Sequence, residues 1–433
     1  MLDLTERREP IMDTLASVGD LRRARALIVG DDTHKLHLIA PAAAIVDLTT
    51  LSQWAWRRLR AESFEPIAVI PGSYEHPLVV DRRVAEWDFL ALATERPDEY
   101  INLSHAEFDR DTAGASVLDF CIDVGADPTP VKPTNDRDAV IASISAFTEL
   151  RIRQRLDQTL TIPPLPEATR RILELKSDPD FDLRDLTRVV EADPSLSARI
   201  IGWANSAYYG LREPVRSIAD AIMRVMGPEA TLNMALAIAM QQDLKVPKAH
   251  VRGLSPFWLE AMCTAATMET LSTLVRAPHR PLAGYCYLAG LLANFGTLVI
   301  GHVFPPFYES ICREQEANRH LPHTYVDQHV LGVPRELFAS LLLESWSVPK
   351  PVCDAVRFQY VPSHEGPHTT YVDLLRLTHQ LLSTRDLSDY PKGPIEPSLL
   401  KSLNLSTSAI DDVLASIGAS ADQLDGMARA AVG

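Results

Sequence analysis

The sequence is short of several things, and each shortage removes a class of protein. Its five cysteines, Cys121, Cys263, Cys286, Cys312 and Cys353, are scattered without a CxxC pair and lie mostly in apolar contexts. Buried reduced thiols are therefore expected, not disulfides or a zinc site. Positive charge is in deficit, with a formal net charge of -15. That disfavours non-specific binding to nucleic acid or to an anionic membrane, and leaves a local basic patch as the route to either. No Walker A sequence is present and no GxGxxG opens a helix, so a P-loop or Rossmann nucleotide site is not expected. The opening residues, MLDLTERREP, hold no apolar h-region. The expectation is a cytoplasmic protein with no signal peptide and no membrane partner.

What is present is ordinary for a soluble protein of more than one domain: 433 residues, 46% hydrophobic and 23% charged. The longest nearly uncharged run is Leu288–Phe304, LAGLLANFGTLVIGHVF. Leu288, Leu291, Leu292, Phe295, Leu298 and Val299 recur at helical spacing, and Ala289, Gly290, Ala293 and Gly296 fill the gaps with small side chains. The run is short and Gly-rich for a membrane span. It predicts one buried central helix of a helical domain, closely approached by its neighbours.

The first 125 residues alternate short apolar runs with turns. Ala26–Val29 and Leu36–Ile39 flank a turn at Asp31–Lys35 and predict a hairpin. Asp47 is a helix cap for Leu48–Leu59, with Leu51, Trp54, Ala55 and Leu59 on the buried face. Ile67–Ile70, Leu78–Val80 and Tyr100–Leu103 are strand candidates, so the region reads as α+β. Gly125–Asn135 carries three prolines and reads as a linker, followed by an amphipathic helix over Asp138–Leu156. Beyond it Asp182, Asp193 and Ser217 are helix caps, with Pro194 at a first helical position, Leu196, Ile200, Ala204 and Ala207 as a buried stripe, and Gly210 at a left-handed stop. Nearly everything from there to about Ser383 reads as helix. Short helices follow Tyr390, with Ser406 as a cap.

Two resemblances rest on these motifs. RALIV at Arg25–Val29, HLIAPAAAIVDLTTL at His37–Leu51, AVIPGSYEHPLVVD at Ala68–Asp81 and NLSHAEF at Asn102–Phe108 resemble the YbaK/prolyl-tRNA-editing family of aminoacyl-tRNA deacylases. That resemblance implies a functional Lys where this chain has Arg25, and a pocket-flanking Gly pair that is half kept, as Ala68 and Gly72. It also makes tRNA a candidate partner. The order LPxLP, DPxL, NSAxYG, SIxxAI over Ile162–Leu387 resembles the HDOD family, helical relatives of the HD phosphohydrolases that have mostly lost their metal ligands. This resemblance implies a bacterial signalling module. At the positions where HD enzymes carry ligands the chain has Glu260, Ala293, Asn294, Arg335, Gln359 and Tyr360, with His379 near a last expected carboxylate. Alanine has no donor atom, a neutral amide is a poor one, and Arg335 would repel a metal. No metal and no cofactor are expected.

Each candidate has a plainer reading beside it. His302, His323, His329, His364 and His368 read as core, loop or surface residues, because a metal site needs converging ligands. Asn205, Ser206, Tyr208 and Tyr209 form either a partner surface or a set of hydrogen bonds to a neighbouring helix backbone. Gly72 and His76 either line a substrate pocket or belong to a plain loop, Pro-Gly being a turn signal. Arg25 either grips a phosphate or carboxylate, as the one catalytic candidate, or is a solvated side chain among Arg22 and Arg23. The expected organisation is an N-terminal α+β editing-like domain (1–124), a linker and bridging helix (125–160), an all-α HDOD domain (161–388) and a helical tail (389–433). The expected function is a cytoplasmic, non-catalytic regulatory protein, or pseudoenzyme, that binds protein partners. An aminoacyl-tRNA deacylase is the alternative, and a residual phosphohydrolase comes third.

Overall fold

The architecture is that of a computed structural model, which describes residues 22–63, 76–93, 100–124, 167–177, 182–206, 209–241, 244, 251, 256–276, 280–362, 364–415 and 417. The expected strand Ile67–Ile70, the linker Gly125–Asn135, the helix Asp138–Leu156 and Ala207 lie outside the described residues. The chain divides into two compact units, Met1–Gly125 with Glu316–Asn318, and Ala126–Gln315 with Arg319–Gly433.

The first unit is built on a mixed sheet. β1 (Arg22–Gly30) and β2 (Lys35–Pro41) form the expected hairpin, with Leu27 opposite Leu38 and Ile28 opposite His37. Its turn is closed by Asp31, whose carboxylate accepts from the Thr33 and His34 backbone N–H groups at 2.8 Å each, an Asx turn. β3 (Ala44–Val46) and β4 (Arg60–Ala61) follow, then β5 (Leu78–Asp81), β6 (Phe89–Ala93), β7 (Tyr100–Ser104), β8 (Ser116–Leu118) and β9 (Cys121–Asp123). The main sheet runs β7-β6-β1-β2-β5-β8 with β4 also on β1, and β3 pairs β9 separately. The β1–β6, β2–β5 and β5–β8 pairs are parallel and the others antiparallel. Alternation along β1 sends Leu27 and Val29 into one core with Leu38, Leu51 and Phe120. Ala24 and Ala26 go into another, with Ile39, Val80, Leu92 and Phe108. The sheet is thus covered on both faces, by α1 (Leu48–Ala55) among other elements on one, and by α2 (Arg82–Ala85) and α3 (His105–Asp111) on the other.

Helix α1 departs from its expected length. Asp47 caps it, accepting from Thr50 N at 3.0 Å, but it stops at Ala55 because Trp56 takes a left-handed conformation with φ 55°. Leu59 reaches the core from the segment after the helix. Trp54, expected on the buried face, is 42% exposed.

The second unit is helical throughout its described residues. Its elements are α4 (Glu167–Ser177), α5 (Leu183–Glu191), α6 (Pro194–Ala204), α7 (Ile218–Ala221, continuing as a π-helical turn over Ile222–Met226), α8 (Pro228–Gln241), α9 (Phe257–Leu274), α10 (Ala283–Leu292), α11 (Phe295–Val303), α12 (Pro305–Ala317), α13 (His323–Leu331), α14 (Arg335–Ser345), α15 (Lys350–Phe358), α16 (Thr369–Ser383) and α17 (Pro397–Leu403). The caps are local and sit where the residue types put them. Asp182 accepts from Arg184 N at 2.7 Å and Asp185 N at 2.9 Å. Asp193 accepts from Ser195 N and Leu196 N, and Ser217 Oγ from Asp220 N. Ser406 Oγ accepts from Ala409 N at 3.3 Å. Gly210 has φ 57°, but α6 already ends at Ala204, so the glycine shapes the following turn and not the helix stop.

The expected single helix over Leu288–Phe304 is two helices, α10 and α11, parted at Ala293–Asn294. A distant side chain meets the backbone at the break. Gln359 Nε2 donates to the Ala293 carbonyl at 2.9 Å, and the next turn tightens, with Thr297 N donating to Asn294 O. The stretch Ala283–Val303 is long and apolar enough to cross a membrane by length and composition, yet 83% of its most apolar window is buried within the protein. A Cβ on Gly290 would lie 2.5 Å from Ala265 Cα, so α9 and α10 meet backbone to backbone there.

Candidate functional site

The helical unit brings its expected ligand positions to one buried polar cluster, and other chemistry fills them. Arg335, the first residue of α14 and 4% exposed, donates from Nε to Asp327 Oδ2 at 2.5 Å and from Nη2 to Asp327 Oδ1 at 2.7 Å. Its remaining donors reach Thr297 Oγ1 and Gln315 Oε1, both at 3.0 Å. Burial works against this charge, but the Asp327 carboxylate outweighs it and the guanidinium is held still more firmly protonated. Gln359 spends its amide on Ala293 O and Val356 O, and its Oε1 lies 2.7 Å from His379 Nε2. Burial lowers the His379 pKa to about 3, with His323 adding to the effect, so this imidazole is neutral at any ordinary pH. Ala293 has no donor. Asn294, also buried, is the residue before α11.

Glu260 on α9 accepts from the backbone N–H of Asp389 at 2.8 Å. Both carboxyl groups have their pKa raised, first by burial, and Glu260 next by Asp389 itself. The Tyr360, His379 and Tyr390 rings lie nearly parallel in a triangle, with Tyr360 5.6 Å from His379 and 5.8 Å from Tyr390, and Tyr360 is edge-on to His323 at 4.6 Å. Burial, and then Glu336, pushes its phenol well above the usual range. The residues at the HD ligand positions therefore do not fit a metal held there. Of the six, Ala293 and Asn294 lack a basic donor, Arg335 is a cation and Gln359 is an amide that donates to the backbone, which leaves only the Glu260 carboxyl and the Tyr360 phenol.

One convergence was invisible to the pattern of expected ligands. His323 and Asp327 stand four residues apart on α13, and Glu336 is the second residue of α14. His323 Nε2 lies 2.6 Å from Glu336 Oε1, and one donor atom from each of the three residues lies within 4.8 Å of the others. The HxxxD spacing on a helix was the available signal, since residues four apart share a face. Nothing in the sequence places Glu336 against it.

The other candidates are more dispersed. Asn205 is exposed and clasps Val215, with Nδ2 donating to Val215 O at 2.9 Å and Oδ1 accepting from Val215 N at 2.7 Å. Its partner is thus the loop before α7, not a neighbouring helix. Ser206 Oγ is buried without a partner among the described residues. Tyr209 packs partly buried against the core, and Tyr208 lies outside the described residues.

In the first unit Arg25 is 7% exposed, not solvated. Its Nη2 donates to Ala317 O at 3.2 Å within that unit, and burial lowers its pKa to about 10. Arg22 and Arg23 lie over the Trp87 and Tyr100 rings, at 5.7 and 4.9 Å from the centroids. His76 meets the His37 ring at 5.2 Å. By strand alternation His37 belongs to the sheet face opposite Arg25, so Arg25 and His76 are not brought together. Gly72 and Ala68 lie outside the described residues.

This arrangement defines a class: a helical bundle whose buried polar cluster is filled by its own side chains. The HDOD domain family matches residues 162–362. A solved protein from Marinobacter aquaeolei VT8, ascribed to signal transduction, is similar over 97% of this chain and 95% of its own, with 32% identity and a TM-score of 0.88. The chain belongs to the HDOD-domain proteins. An HDOD domain protein of unknown function from Geobacter sulfurreducens shares the fold at 18% identity and a TM-score of 0.51, covering 66% of this chain and 99% of that one. An uncharacterized protein of Treponema pallidum (strain Nichols) is 25% identical over 217 residues, which are 50% of this chain and 40% of that relative's length. The chain thus spans well under half of that relative.

Proposed function

We propose that the chain is a regulatory protein of a signalling pathway whose helical unit works by binding a protein partner and not by hydrolysing phosphoesters. One observation carries this reading: Arg335, at an HD ligand position, is locked to Asp327 by two hydrogen bonds. A guanidinium stays charged at any physiological pH and cannot ligate a metal. The signal-transduction ascription of the Marinobacter relative is consistent with it. The test is an assay of the purified chain, with Mn(II) and Mg(II) supplied, on phosphomonoester, phosphodiester and cyclic-dinucleotide substrates. No turnover is expected. Turnover that Arg335→His raises would replace this reading with the residual phosphohydrolase.

The first unit is, on this reading, a relative of the aminoacyl-tRNA deacylases that has given up hydrolysis. In its support, Arg25 stands where that resemblance puts a lysine, is buried, and donates to a backbone carbonyl. Lysine can shed its proton when its pKa is lowered by burial, whereas arginine does not at physiological pH. Mischarged tRNAs offered to the wild type and to Arg25→Lys decide this. Inactive wild type is expected. Wild-type turnover that collapses in Arg25→Ala would promote the deacylase alternative.

A further inference from the structure

We propose that His323, Asp327 and Glu336 form a binding site for one divalent transition-metal ion, set apart from the positions where HD enzymes hold theirs. The argument begins with position. Asp327 lies one helical turn beyond His323 on α13, and the Pro334-initiated start of α14 lays Glu336 across them. Donors bonded to one ion at about 2.0–2.2 Å sit at most about 4 Å apart. The three donor atoms already fall within 4.8 Å of one another, so a small closure would bring all three onto an ion.

Burial comes second. The three residues are 5%, 0% and 4% exposed, which separates them from the solvated acidic clusters common on protein surfaces. Glu336 adds an independent sign: its Oε2 is buried and has no hydrogen-bond partner among the described residues. A carboxylate oxygen held away from water without a donor carries a desolvation cost that a bound cation would remove.

Arg335 must be reconciled with a nearby ion. It occupies both Asp327 oxygens, but a carboxylate has about four lone-pair sites and can accept from a guanidinium while it binds an ion. Ligating carboxylates are commonly held by such outer partners. The balance of charge permits it too. Asp327 and Glu336 together outnumber Arg335, which leaves one net negative charge to meet the ion. One imidazole nitrogen and two carboxylates suit Mn(II), Fe(II) or Zn(II) better than Mg(II) or Ca(II), which prefer all-oxygen shells.

This runs against the expectation that the domain binds no transition metal, which rested on the positions that lost their ligands. None of His323, Asp327 and Glu336 is among those. The site does not depend on the signalling reading, since phosphoester turnover would overturn that reading and leave this one standing.

The experiment uses the full chain, stripped with EDTA, then loaded with Mn(II) or Zn(II), desalted and measured by elemental analysis, with electron paramagnetic resonance on the Mn(II) sample. About one ion per chain is expected. Glu336→Gln and His323→Asn should each weaken binding at least about tenfold, while His329→Ala and His368→Ala should not. Circular dichroism of the stripped variants shows whether each still folds. Glu336→Gln preserves shape, so it remains informative if the histidine variant does not fold. Failure of the wild type to retain metal, or equal retention by wild type and Glu336→Gln, would overturn the site.

Discussion

Two buried arginines invite comparison, one in each unit. Arg335 is 4% exposed and Arg25 is 7% exposed, yet their surroundings treat the charge in opposite ways. Arg335 meets a carboxylate through two hydrogen bonds, and its pKa is driven upward despite burial. Arg25 meets a carbonyl, keeps an unpartnered Nε, and has its pKa drawn down to about 10 by burial. Both remain protonated at neutral pH. The first charge is part of the architecture of the helical unit. The second is a desolvated charge that its unit tolerates. Burial alone therefore says little about what an arginine contributes; the counter-charge decides it.

The sharpest break of that comparison is Arg335→Met. It strands Asp327, which is 0% exposed, and removing one partner of a buried pair costs about 3–5 kcal/mol. Denaturant unfolding should show this loss, and Arg335→Met combined with Asp327→Leu should recover most of it. A loss under about 1 kcal/mol would mean that water already screens the pair.

Next in size is Gly290→Ala, which tests whether the helical unit is as tightly built as its ion pair implies. The new methyl would press on Ala265 Cα from 2.5 Å, and overpacking of this kind costs about 1–3 kcal/mol. An unchanged melting temperature would show that α9 and α10 can part without cost.

A pH series probes the acid side of the same cluster. Burial raises the Glu260 and Asp389 pKa values in the folded state, while an unfolded carboxyl titrates near about 4. The folded chain then holds protons that the unfolded chain has released. Stability is fully present below the unfolded pKa and declines as pH rises through the folded values. Glu260→Gln should flatten that decline, which sets in as pH rises above the unfolded carboxyl value of about 4. Parallel profiles for variant and wild type would count against the shared acid pair.

The smallest effect belongs to Arg25→Met. It gives up one hydrogen bond to a carbonyl, a net of about 1 kcal/mol, and relieves a desolvated charge, so the stability of the first unit should move by about 1 kcal/mol or less in either direction. A loss like that of Arg335→Met would show that Arg25 has a counter-charge after all.

Much of the fold was legible because it is local. Asp182, Asp193, Ser217 and Ser406 cap their helices through backbone groups two or three residues away. The β1–β2 hairpin is set by alternation and an Asx turn within a few residues. The HDOD resemblance was legible for the same reason, as an ordered set of short motifs. Leu59 is buried as expected, but from beyond the helix, because Trp56 ends α1 with a left-handed turn; Trp54 lies within α1, off the face that buries Leu48 and Leu51. At the candidate site the sequence supplied residue types, such as Ala293, Asn294 and Arg335, and the His323–Asp327 spacing, but not the contacts they make.

The amino-acid order by itself determined where helices begin, which strands alternate, and that Ala293, Asn294 and Arg335 offer a metal no basic donor. Those depend on residue type and on neighbours within a turn or two. Tertiary structure alone decided the rest. It placed the Gln359 amide on the Ala293 carbonyl where the central helix divides. It set Arg335 against Asp327, and laid Glu336 of α14 beside His323 of α13. Each of these is a meeting of side chains from different helices, and their distance depends on how helices pack, which no spacing along the chain encodes.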